Sequence, residues 1–90
     1  MGVKVNISSI LAQSTGNQTV VTVEGSTVAE CLDDLIKQFP DLRKSLFDKD
    51  GKLHSFLDIY VNKQSAYPET LAKPVKEGDE IHIMFLIGGG

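Results

Sequence analysis

Thr27-Val28-Ala29-Glu30-Cys31-Leu32-Asp33-Asp34-Leu35-Ile36-Lys37-Gln38-Phe39-Pro40 is the stretch from which the fold can be read. Val28, Cys31, Leu32, Leu35, Ile36 and Phe39 recur at the spacing that puts one apolar stripe along an amphipathic helix. Glu30, Asp33, Asp34, Lys37 and Gln38 fill the wet side. Thr27 and Glu30 have the spacing of a capping box, in which the threonine hydroxyl accepts from the Glu30 amide and the glutamate reaches back to Thr27. Pro40 stops the helix, because the residue before a proline disfavours helical dihedrals.

Working outward toward the N-terminus, Val3, Val5 and Ile7 alternate with Lys4, Asn6 and Ser8, the period of a half-buried strand. Ser14-Thr15-Gly16-Asn17 is a turn cluster. Gln18 to Glu24 is rich in valine and reads as a second strand, with Val21 and Val23 on its core side. The two strands, joined by a short polar loop, make a hairpin. Toward the C-terminus, Asp41 to Phe47 carries Leu42 and Leu46 at helical spacing, a further helical turn. Asp48 to Lys52 is a turn by composition. Phe56 to Asn62 alternates again, with Leu57, Ile59 and Val61 on one face and Phe56, Asp58 and Tyr60 on the other. Asn62 to Pro74 reads as irregular, with Leu71 tucked inward and room for a short extra strand. Glu77-Gly78-Asp79 is a turn, and Glu80 to Ile87 is the last strand.

A lone two-stranded ribbon is only marginally stable, so the helix must cover its face and the later strands must join the same sheet. The expected architecture is α+β, a β-grasp (ubiquitin-like) domain. A mixed four- to five-stranded sheet packs on one main helix over residues 1–87, and a flexible glycine tail, 88–90, follows.

Ninety residues suffice for one core without staples. A hydrophobic share of 41% and a charged share of 23% exclude a disordered tail and a membrane protein. The net charge of −3 argues against a nucleic-acid partner, which needs clustered lysine and arginine. Met1 to Asn6 lacks the basic and long apolar runs of a signal peptide, and Asn6 stands where a myristoylation signal has Ser or Thr. The longest apolar run, Ile83 to Ile87, is far short of a membrane span. A cytoplasmic protein with no membrane partner is the expectation.

A catalytic set of side chains is not visible. Cys31, the lone cysteine, lies inside the apolar stripe and reads as a small buried hydrophobe. It excludes a disulfide framework and lacks the exposure and cationic neighbour of a reactive thiol. His54 and His82 have no metal-ligand spacing. Asp33 and Asp34 are adjacent on a helix, point in different directions and read as solvated. Glu77, Asp79 and Glu80 flank a turn without the spaced oxygens of a calcium loop. No metal site and no catalytic residue is expected.

What remains is the end of the chain, where Ile83-Met84-Phe85-Leu86-Ile87 runs into Gly88-Gly89-Gly90. Glycine has an average usage of about 7%, so three in a row at a terminus are uncommon. A tail without Cβ atoms is thin and conformationally free, able to thread a narrow channel and deliver its carboxylate to an enzyme. That carboxylate, with a pKa of about 3.5, is ionised and a poor electrophile until a partner activates it.

The strand order, the Pro74-Val75-Lys76-Glu77-Gly78-Asp79-Glu80-Ile81 signature and the strand ending in glycines resemble the ubiquitin-like sulfur carriers of the MoaD/ThiS family. The stretch Gly51-Lys52-Leu53-His54-Ser55-Phe56-Leu57-Asp58-Ile59-Tyr60-Val61-Asn62 looks more specifically like the CysO-type carriers of cysteine biosynthesis and their homocysteine-forming relatives. The resemblance implies a non-catalytic carrier with no tightly bound cofactor. An E1-like adenylating enzyme uses ATP and magnesium to adenylate Gly90, and a sulfur donor displaces AMP to leave a thiocarboxylate. Its sulfur attacks an electrophile held by a sulfur-accepting synthase, in the CysO-like case an aminoacrylate on pyridoxal phosphate, and hydrolysis restores the carboxylate. Some relatives carry extra residues that a JAB-type metalloprotease removes; here the third glycine extends the usual pair. Three other readings share the tail: the small subunit of molybdopterin synthase, a protein modifier joined to lysine by an isopeptide bond, and an interaction domain whose glycines are incidental.

Alternation along the last strand turns Ile81, Ile83 and Phe85 toward the helix and His82, Met84 and Leu86 to the outer sheet face. Phe56 and Tyr60 fall on that same outer face if Leu57, Ile59 and Val61 are core. Phe56, Tyr60, His82, Met84 and Leu86 are therefore the expected docking surface, an exposed apolar patch beside the tail.

Overall fold

The computed structural model describes residues 2–9 and 11–85. Five strands, β1 (Val3–Asn6), β2 (Val20–Val23), β3 (Leu57–Val61), β4 (Gln64–Ser65) and β5 (Glu80–Phe85), form one sheet in the order β2-β1-β5-β3-β4. β1 and β5 are parallel at its centre, and every other pairing is antiparallel. Two helices, α1 (Val28–Gln38) and α2 (Leu42–Leu46), complete the β-grasp. Among the described residues no helix is long and apolar enough to cross a membrane.

The core follows the two periodicities of the sequence. Val3, Val5 and Ile7, then Val21 and Val23, then Leu57, Ile59 and Val61, and Ile81 and Ile83 supply one sheet face. Val28, Cys31, Leu32, Leu35 and Ile36 of α1 pack against it, with Leu42 and Leu46 of α2 extending the layer; Phe39 and Leu71 are half-buried at its margin. Gly25 lets the chain pass close under the start of α1. A Cβ there would stand 2.8 Å from the Cys31 amide nitrogen, a distance that no side chain accommodates.

Two local expectations need correction. The Glu30 amide does donate to the Thr27 hydroxyl, at 3.2 Å, but the Glu30 carboxylate accepts from Ser26 N–H, at 2.8 Å, rather than from Thr27. Residues 26–28 are stitched to 73–75, with Val75 N–H donating to the Ser26 carbonyl and Val28 N–H to that of Lys73. That crossing displaces the reach-back by one residue. The link between β1 and β2 is also more than a polar loop. Ala12–Thr15 form a turn of 3-10 helix that buries Leu11, Ala12 and Thr15, and the Thr15 hydroxyl lies 3.0 Å and 2.6 Å from the Ala12 and Gln18 carbonyls. A hydroxyl satisfied by two nearby carbonyls can be buried without the cost of an unpaired polar group.

Candidate functional site

β5 leads toward the glycine segment, and its neighbours define what surrounds that exit. Its inward residues Ile81 and Ile83 are buried and Phe85 packs half-buried against the core. Its outward residues are His82, half-buried, and Met84, 47% exposed. Register places His82 opposite Tyr60 on one side and Asn6 on the other, and Met84 opposite Asp58. The sheet thus brings Tyr60, His82 and Met84 to one outer face. The His82 ring lies 3.5 Å from the Glu80 carboxylate on that face. Leu86, Gly88, Gly89 and Gly90 lie outside the described residues.

Phe56 does not join that outer face as the alternation expected. β3 begins at Leu57, and Phe56 sits in a turn closed by Leu57 N–H donating to the His54 carbonyl, at 3.0 Å. Its ring stacks on His54, with centroids 4.7 Å apart, and lies parallel to Phe85 at 6.1 Å. Phe85 is opposite Leu57 and belongs to the helix-facing side. Strand alternation begins at Leu57, one residue later than the sequence pattern predicts. Phe56 is nevertheless 47% exposed, so the aromatic stack forms a rim around the end of β5.

The turn before β5 is held by two side chains. Asn62, at a left-handed φ of 58°, donates through Nδ2 to Asp79 at 3.0 Å and accepts from Glu80 N–H at 2.9 Å. The other Asp79 carboxylate oxygen accepts from Lys76 N–H at 2.9 Å, and the Asp79 carbonyl accepts from Lys4 N–H of β1. The hydrogen bond from Asn62, then that from the Lys76 backbone, hold Asp79 below the usual carboxylate range. The Gly-Asp-Glu signature is therefore a clasp that ties the start of β5 to β1 and β3, not a ligand set.

The remaining polar candidates are structural. Cys31 is fully buried, and burial, followed by the nearby carboxylates of Glu30, Asp34 and Glu24, pushes its thiol up to about 11. Asp34 is not simply solvated: its carboxylate accepts from Glu24 N–H at 2.9 Å. His54 and His82 are on different elements, and among the described residues no group of three or more His, Cys, Asp and Glu side chains is gathered for a metal. One feature escaped sequence reasoning. Beside the end of β5 runs a groove of about 400 Å³ lined by Asn6, Ile7, Ser8, Met84 and Phe85 among others, and Asn6 Nδ2 and Ser8 Oγ are buried without a hydrogen-bond partner among the described residues. In the sequence both are merely the polar members of an alternating strand.

The fold has known counterparts. The sulfur carrier protein CysO of Mycobacterium tuberculosis is 34% identical over 93 residues, covering 100% of both chains. The small archaeal modifier protein 1 of Haloferax volcanii is 33% identical over 82 residues, covering 89% of this chain and 91% of the relative. A crystal structure of the Amycolatopsis orientalis BexX/CysO complex contains a chain that superposes with a TM-score of 0.87 at 34% identity, covering 99% of this chain and 100% of that one. The model of the ThiS family matches residues 5–90, and the chain belongs to that family of ubiquitin-like sulfur carriers.

Proposed function

We propose that the protein carries sulfur as a thiocarboxylate on Gly90 and donates it in cysteine or homocysteine/methionine biosynthesis. The observation that carries this reading is likeness to CysO over the whole length of both chains, including the strand that ends in glycines. Activation is a group transfer. An E1-like adenylating enzyme joins the Gly90 carboxylate to the AMP portion of ATP, with magnesium, and releases pyrophosphate. A hydrosulfide-level donor then attacks the acyl carbon and expels AMP. Neither step changes an oxidation state. The thiocarboxylate sulfur, softer and more nucleophilic than oxygen, attacks an electrophile on a sulfur-accepting synthase, and hydrolysis returns the carboxylate.

The division of labour matches the chain's chemistry. Its thiol is buried and Asp34 and Asp79 are engaged in structural hydrogen bonds, so in this reading the partners catalyse while Gly88 and Gly89 give the terminal carboxylate reach. Tyr60, His82 and Met84 offer the face on which the partners dock. The test is intact-mass spectrometry of protein isolated from its native cell. A terminus heavier by one sulfur-for-oxygen exchange, lost on reaction with the acceptor synthase, is the expected result. It also reads whether Gly90 is the working end. The similarity to the Haloferax modifier favours a second reading, isopeptide attachment to lysine. Branched lysine peptides and no thiocarboxylate would establish that alternative.

A further inference from the structure

β1 abandons β5 before β5 ends. Their pairing stops at Asn6 and His82, while β1 goes on pairing along its other side, the Ile7 N–H donating to the Thr19 carbonyl at 2.8 Å. Successive residues of a strand point their backbone groups to alternate neighbours. Lys4 N–H donates to Asp79 C=O at 3.1 Å, which directs the odd-numbered residues of β5 toward β1. The far side agrees: Ile59, opposite Ile83, gives its carbonyl to Ala66 N–H rather than to β5. The Ile83 carbonyl and both backbone groups of Phe85 therefore look into the space that β1 has left, and among the described residues no backbone hydrogen bond from Ser8 or Ser9 reaches them.

That space is the groove of about 400 Å³ in which Asn6 Nδ2 and Ser8 Oγ are buried without partners among the described residues. An open strand edge, spare side-chain hydrogen-bonding groups and apolar walls from Ile7 and Met84 match one chemistry, that of an extended peptide main chain. A compact ion or flat ring would leave the edge groups unpaired. In the sequence only residues 86–90 follow Phe85, so a protein that holds Gly90 is brought near this edge. We propose that the groove takes an extended segment of the protein that receives the tail. The segment adds to β5 in line with β1, and Asn6 and Ser8 bond to its backbone. The proposal rests on the sulfur-carrier reading and names how the partner is held.

The experiment uses the full chain with its cognate adenylating enzyme and ATP. It compares adenylation by wild type and by the Asn6→Ala/Ser8→Ala double variant, and follows hydrogen exchange at the Phe85 amide, free and in complex. The expected result is a KM raised about tenfold in the variant at unchanged kcat, as loss of hydrogen bonds in a docking groove gives. Its free-state stability should be unchanged or higher, since the atoms removed are unpartnered, and wild-type Phe85 should exchange more slowly in the complex. A normal KM together with a Phe85 amide that exchanges in the complex at its free rate overturns the proposal. So does protection already present in the free protein, by its own tail if independent of concentration and by a second copy if it grows with concentration. If the variant does not fold, exchange in the wild-type complex decides alone. Wild type that is never adenylated overturns the carrier reading itself, a failure distinct from adenylation without groove protection.

Discussion

Burial and three carboxylates push the Cys31 thiol up to about 11, so the thiolate is scarce in the native state as well as inaccessible. The native pKa is raised, so this group's share of stability is complete below its ordinary value of 9.0 and is lost as pH rises from there through about 11. Cys31→Ala should keep sulfur loading and cost about 1 kcal/mol or somewhat more, the scale of a small truncation in a packed core. Iodoacetamide should label wild type at the rate of unfolding. Lost loading with a normal fold would return Cys31 to the chemistry. Asp79 has the opposite sign. Its carboxyl is held low, so its contribution is present above 3.8 and lost as pH falls through the depressed native value. Partial exposure and solvent screening keep that contribution modest. Asn62→Gly, which tolerates the left-handed φ of 58° but removes the leading hydrogen bond, should flatten the acid limb of a plot of urea midpoint against pH. An unchanged acid limb would place the clasp's strength elsewhere.

At the scale of elements, what the sequence made readable was whatever depends on period. The apolar stripe of α1 and the alternations of β1, β3 and β5 are repeated signals, and each places its core face correctly. Asn62 and Lys63, at φ of 58° and 99°, turn β3 back onto β4, yet the pair lacks the glycine that usually marks such a hairpin, so the region read as irregular. Phe56 was misplaced because the residue where alternation stops is set by a turn hydrogen bond that leaves no mark in composition. Asn6 and Ser8, whose Nδ2 and Oγ have no partner among the described residues, show nothing until the neighbouring strands are in place. Edge protection is equally non-local: Gln38 Nε2 donates to the Thr22 carbonyl at 3.1 Å, and Asp34 accepts from Glu24, so α1 covers outward backbone groups of the edge strand β2. Removal of the tail should separate fold from function. The described core ends with Ile83, and Phe85 packs against it. Deleting Gly89 and Gly90 should therefore leave the urea midpoint unchanged and abolish adenylate formation by the cognate enzyme, measured as pyrophosphate release. Release at the normal rate from the truncated chain would remove the terminal carboxylate from the mechanism.

For the molecule as a whole, the sheet separates two tasks. Its inner face and α1 make the core, and its outer face carries Tyr60, His82 and Met84 in adjoining rows, the face proposed for docking. Met84 is the informative position because it is 47% exposed and stands beside the groove. Its cross-strand neighbour is Asp58, so Met84→Asp sets two like charges opposite each other, at about 0.2–1 kcal/mol of stability. Met84→Lys offers Asp58 an opposite charge instead and should fold as well as wild type. Both variants remove the same apolar anchor, and both should weaken binding to the adenylating enzyme by about 1–3 kcal/mol, the scale of a truncated interface residue. Titration calorimetry of the complex and urea unfolding of the free domain separate the two effects. If Met84→Asp alone binds poorly, the loss came from its own charge or from strain against Asp58. If Met84→Lys also binds poorly while folding normally, the face itself is what the partner reads. Wild-type affinity in a well-folded Met84→Lys variant would move docking off this side of the sheet and count equally against Met84 as a wall of the groove.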